Sequence, residues 1–93
     1  MIQNFACSET EAIWEGKMSR RLPYDIQQTA RRKLRYLHYA KSLDDLRQPP
    51  ANRLEGLKGD RKGYHSIRIN NQWRLCFRWQ DGEAYEVEII DYH

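Results

Sequence analysis

With 93 residues, 40% of them apolar and 31% charged, the chain suffices for one folded domain, assigned to residues 1–93, and is too short for two independent cores. No apolar run reaches the eighteen residues of a membrane span, and Met1 to Ala12 lack the basic and apolar regions of a secretory leader, so a cytoplasmic protein without membrane contact is expected. The formal charge of +3 conceals an asymmetry: residues 53–79 carry seven Lys and Arg against two carboxylates, a net of +5, whereas residues 80–93 carry five carboxylates and no Lys or Arg, a concentration that points to an anionic partner.

Ile2 to Phe5 has the apolar character of a short strand. Ser8 followed by Glu11 has capping-box spacing, predicting a first helix from Glu9 to about Trp14 that ends near Gly16. Pro23 suits a first helical position. Ile26, Ala30, Leu34 and Leu37, with Tyr36 or Ala40, recur at helical spacing behind it, predicting a second helix to about Lys41. Arg31, Arg32, Lys33 and Arg35 fill the remaining face, either solvated or in contact with RNA or an acidic partner. Ser42 to Leu46 offers another cap and turn, and Pro49-Pro50 stops any helix.

Gly59 and Gly63 bound a turned stretch that exposes Asp60, Arg61 and Lys62; it lacks the spacing of a P-loop. From Tyr64 the pattern becomes alternating. Ile67 and Ile69 oppose Tyr64, Ser66 and Arg68. Trp73, Leu75, Phe77 and Trp79 alternate with Arg74, Cys76 and Arg78, and Tyr85, Val87 and Ile89 with Glu86 and Glu88. The fold class is therefore α+β: an N-terminal strand and helices packed on a small, curved, mainly antiparallel sheet. Keeping the aromatic residues on one face requires odd loops or bulges in both hairpins. That register sets Ile67 opposite Leu75, Arg68 opposite Arg74, Phe77 opposite Val87, Trp79 opposite Tyr85 and Arg78 opposite Glu86. Trp73, Trp79 and His65 are assigned to the packed side, and His38 receives no role.

Arg78 with Glu86 is an ordinary favourable pair. Arg68 opposite Arg74 is a like-charge pair that needs either a phosphate, which suits two guanidinium forks, or carboxylates from this chain or a partner. Cys7 and Cys76 show no CxxC or Cys/His cluster, so reduced thiols are expected. Asp60, Asp81 and Asp91 are too scattered for a two-metal nuclease, and neither metal nor cofactor is expected. The terminal His93 offers a group that exchanges protons near neutral pH. Together with the cations it suits a metal-independent cut in which the RNA 2′-hydroxyl attacks its own phosphate.

The segment from Arg53 to Phe77, with Leu57-Lys58-Gly59 and Trp73-Arg74-Leu75, followed by Glu86 to the terminal Asp91-Tyr92-His93, resembles the HigB family of host-inhibition killer toxins in the RelE superfamily. The similarity spans nearly the full chain. It implies the RelE-like microbial RNase fold and a ribosome-dependent endoribonuclease that cleaves messenger RNA in the A site. It further implies Lys58, Arg68, Arg74 and His93 as catalytic residues: the arginines hold phosphate and transition-state charge, Lys58 contacts phosphate or moves a proton, and His93 is a general acid or base. Arg53, Arg61, Lys62, Gln72 and Tyr92 are assigned to RNA contact. The implied partners are a HigA-like helix-turn-helix antitoxin, the 70S ribosome with its messenger, and promoter DNA through the toxin-antitoxin complex. The competing readings are a non-catalytic RNA- or ribosome-binding protein and a toxin that has lost cleavage and acts as a transcriptional co-regulator.

Overall fold

The periodic apolar residues of the second predicted helix form one buried stripe, and the rest of the chain is arranged to cover it. In the computed structural model, which describes residues 1–92, helix α1 spans Ser8–Trp14 and α2 spans Tyr24–Tyr39. His93 lies outside the described residues. Ile26, Ala30, Leu34 and Leu37 of α2 are buried against Ile67, Leu75, Phe77, Val87 and Ile89 of the sheet, with Ile13 of α1 in the same cluster. Trp73 and Trp79 pack, partly buried, against that cluster, as their alternation requires.

The helix starts differ from expectation. Cys7, not Ser8, is the α1 cap residue, and no side chain caps it. The preceding residue is pinned to the sheet by the Ala6 N–H donating to the Val87 carbonyl (3.0 Å), so tertiary anchoring sets where the helix begins. The reciprocal box forms instead between Ser42 and Asp45, at the head of a 3-10 turn over Leu43–Arg47. Pro23 is likewise the cap of α2 rather than its first residue.

The sheet has four antiparallel strands in sequential order: β1 Glu55–Gly56, β2 Tyr64–Arg68, β3 Trp73–Gln80 and β4 Glu83–Asp91. Strand β1, two residues long, is too short to carry a periodic signal. The N-terminal segment touches β4 through two isolated parallel bridges, Ile2 with Ala84 and Phe5 with Val87, rather than as a continuous strand. Between them Glu86 adopts φ 53, and its N–H is taken by Oδ1 of Asn4 at 2.6 Å.

The first hairpin has the predicted register, Ile67 opposite Leu75 and Arg68 opposite Arg74. The second is corrected. Arg78 pairs with Tyr85, Trp79 with Ala84 and Gln80 with Glu83, across a register shift between Cys76 and Arg78. The turn itself is the two residues Asp81-Gly82, both at positive φ (52 and 78), the geometry that matches strand twist. The odd residue is instead a bulge in β4, where Glu86 and Val87 oppose Phe77. It returns Leu75 to Ile89 and keeps Val87 inward. Arg78 and Glu86 still meet, Nε to Oε2 at 2.8 Å. Among the described residues no helix is long and apolar enough to cross a membrane.

Candidate active site

Strand alternation turns Ser66, Arg68, Arg74, Cys76, Arg78 and Glu88 away from the helices, onto the polar face of the sheet. Arg68 and Arg74 are direct neighbours there. Arg74 is only 8% exposed. Its Nε donates to the Ser66 hydroxyl at 2.7 Å, and its Nη2 donates to the carbonyls of Ser66 (3.3 Å) and Arg53. The Tyr92 ring lies against it, 5.5 Å from guanidinium carbon to ring centroid. Arg68 is half-buried and donates from Nη2 to the side-chain oxygen of Asn71.

None of these acceptors is charged. These bonds leave both positive charges in place, and no ion pair joins either guanidinium to a carboxylate of the described residues. The mutual repulsion of the pair is therefore not relieved by the described chain, and an external anion is the partner the geometry accommodates. The Nη1 group of Arg74 makes no hydrogen bond to a described residue and is the donor left for such a ligand.

The far end of β4 is stitched to the first hairpin loop. The Tyr92 N–H donates to the Gln72 carbonyl at 2.6 Å, and the Gln72 amide donates to Asp91 at 3.0 Å. Asn70 shapes the loop by accepting the N–H groups of Gln72 and Trp73, each at 2.8 Å. This stitching brings Tyr92 against Arg74. His93, next in sequence, falls outside the described residues.

The structure thus brings together Arg68, Arg74, Tyr92, the Arg53 backbone and the loop carrying Gln72. Lys58, Arg61 and Lys62 lie on the segment between β1 and β2. Their segment flanks the 3-10 turn Gly59–Arg61 beside Tyr64, with the Leu57 N–H on the Tyr64 carbonyl and the Arg61 guanidinium over the Tyr64 ring at 4.9 Å. Tyr64 and Arg68 are four residues apart on β2, about 13 Å at the usual strand rise. No group of three or more metal-ligating side chains occurs among the described residues.

Ser66, Asn71 and Lys33 were not assigned to the site from sequence. Ser66 shares the face of Arg68 two residues on, a signal that alternation supplies. Lys33, expected on an α2 face that is either solvated or in contact with RNA or an acidic partner, is instead 5% exposed, since it lies three residues after Ala30 and four before Leu37, on the edge of the apolar stripe.

Cys76 sits among these charges but is 1% exposed, and burial pushes its thiol up to about 11, the pull of Arg61 and Arg74 being smaller. A neutral thiol at pH 7 is a poor nucleophile. Because the folded value is raised, the stabilising contribution of the neutral thiol is complete below about pH 9 and is lost as pH rises toward 11. Titration with a disulfide reagent at pH 7.5 is therefore expected to show one fast thiol, the partly exposed Cys7, and a second that reacts only on unfolding. Rapid reaction of both would contradict the burial.

Residues 4–93 match the family model for HigB-like toxins, described as RelE-like toxins of type II toxin-antitoxin systems. Toxin HigB-1 of Vibrio cholerae is 47% identical over 75 residues, covering 81% of this chain and 79% of that protein. Endoribonuclease HigB of Proteus vulgaris is 29% identical over 93 residues and covers both chains completely. The solved YoeB-YefM complex from Staphylococcus aureus contains a chain that superposes with a TM-score of 0.58 at 18% identity, covering 100% of this chain and 95% of that one. The sheet order, the two N-terminal helices and these matches agree: the chain belongs to the HigB-like family of RelE-like toxins from type II toxin-antitoxin systems.

Proposed function

We propose that this toxin is a metal-independent endoribonuclease that cleaves messenger RNA in the ribosomal A site and so stops translation in the cytoplasm. The observation that carries the reading is the Arg68–Arg74 pair, whose hydrogen bonds go to neutral acceptors and whose charge is left for a phosphate. The name of the Proteus vulgaris relative supports the same activity.

In this mechanism a base removes the proton of the RNA 2′-hydroxyl, which attacks the adjacent phosphorus, and an acid protonates the departing 5′-oxygen. Arg68 and the Nη1 group of Arg74 bind the non-bridging oxygens as negative charge develops on them. Tyr92 backs Arg74, and His93 is the candidate for proton transfer. Lys58 contacts phosphate or moves a proton, and Arg61 and Lys62 contact the RNA. Arg53 and Gln72 contact the RNA beside the arginines. The cognate antitoxin is of the HigA helix-turn-helix kind, and the pair represses its promoter through that antitoxin.

Replacing the nucleotide on the 5′ side of a mapped cut with its 2′-deoxy analogue, in messenger supplied to a translating extract, should abolish that cut and leave others in place. Undiminished cleavage at the deoxy position would overturn the mechanism. A chain that binds ribosomes and cuts nothing would establish the non-catalytic reading.

A further inference from the structure

Lys33 is the buried cation of α2: it is 5% exposed, whereas Arg31 is half-buried and Arg32 and Arg35 are exposed. An ammonium withdrawn from water is costly unless its donors are used. Its Nζ donates to Oδ1 of Asn52 at 2.6 Å and lies 5.7 Å from the centroid of the Tyr36 ring. No carboxylate of the described residues pairs with it. Burial lowers its pKa, with Arg32 and Arg68 adding to the effect, so the arginine face extends its field to this position.

Asn52 is fully buried, and its other side-chain atom is also engaged: Nδ2 donates to the carbonyls of Leu46 and Gln48, each at 3.1 Å. These bonds fix the segment that closes the 3-10 turn Pro50–Asn52. The next residue, Arg53, is held at φ 45 and ψ 59, a left-handed conformation uncommon for a residue with a side chain. In that conformation its carbonyl accepts from Nη2 of Arg74. The Ser66 hydroxyl takes Nε. Arg74 is thus clamped between β2 and a carbonyl whose position depends on Asn52, and Asn52 is fastened to α2 by Lys33.

We propose that Lys33 and Asn52 are positioning residues for Arg74: they hold the Arg53 carbonyl that, with Ser66, fixes the guanidinium plane and leaves Nη1 for the phosphate. This rests on the functional reading above for the identity of the ligand, not for the positioning itself. A misplaced group at a reacting centre slows the chemical step more than it weakens binding.

Two readouts test it. In the folded Lys33→Met chain, which keeps the stem and removes the donor, the Nε–Hε resonance of Arg74 should move and broaden while that of Arg78 stays. Single-turnover cleavage should fall on the order of 10- to 100-fold in kcat with little change in KM, and Lys33→Met should add no further loss in an Arg74→Ala background. Lys33→Gln, one bond shorter but still a donor to Asn52, should recover most of both signals. Asn52→Asp, which keeps the acceptor and removes the Nδ2 donors, is read in the same way should Lys33→Met not fold. An unmoved Arg74 resonance, or an equal loss in both backgrounds, would overturn the proposal. An Arg74→Ala chain that cuts like its parent removes the functional reading instead, and the resonance alone then decides whether Lys33 holds the guanidinium.

Discussion

Arg74→Ala is expected to lower messenger cleavage by on the order of 10²- to 10³-fold, the usual consequence of removing one preorganised donor from a developing oxyanion. The substitution also strips partners from Ser66 and from the Arg53 carbonyl, so some loss of stability accompanies it, about 1–3 kcal/mol if those groups stay dry. Arg74→Lys separates the two effects. An ammonium keeps the charge but cannot span Ser66 and the Arg53 carbonyl while leaving a second fork for phosphate, so it should lose at least about tenfold. Arg68→Ala provides the contrast: Arg68 is more open and among the described residues its side chain bonds only to Asn71, so its removal should reduce cleavage with an unchanged melting temperature. Cleavage rates from primer extension, set beside thermal melts of the same proteins, decide the matter. Arg74→Lys at full activity would show that charge, and not the clamped fork, is what the site uses.

Phe77→Ala should damage the protein without touching that face. Phe77 is fully buried opposite the β4 bulge, with His65 stacked at 6.2 Å and Trp79 edge-on at 6.2 Å. Truncating a buried phenylalanine costs about 3–5 kcal/mol, against a total stability of roughly 5–15 kcal/mol for a chain of this size. A fall in melting temperature of at least about 10 °C follows. Toxicity in cells should drop through abundance, while the remaining folded fraction cuts at the parental sites. A denaturation midpoint close to that of the parent would show that the core relaxes around the loss.

The contrast between these two positions mirrors what was legible in the chain. Alternation from Tyr64 to Ile89 assigned Phe77 to the interior and Arg74 to the polar face, and the register of the first hairpin followed from keeping Ile67 with Leu75. The second hairpin resisted the same treatment. A bulge at Glu86 and an odd loop produce the same parity, and only the backbone, pinned by Asn4 eighty-two positions earlier in the sequence, shows which was used. Lys33 resisted for a related reason. Composition puts a lysine among arginines on the wet side of a helix, and its burial depends on an asparagine delivered by a different segment.

The sequence by itself determined the α+β class, the order of the two helices and the three longer strands, the inward stripe of α2 and the juxtaposition of Arg68 with Arg74. Each of these is a local periodicity of 3.6 or 2 residues, imposed by one buried face. The tertiary structure decided the rest: that Arg74 is buried and clamped by neutral acceptors, and that Arg53 contributes a carbonyl. Those contacts join residues far apart in the chain through polar groups that leave no periodic trace, and they form only when the packed layers bring them within hydrogen-bonding distance.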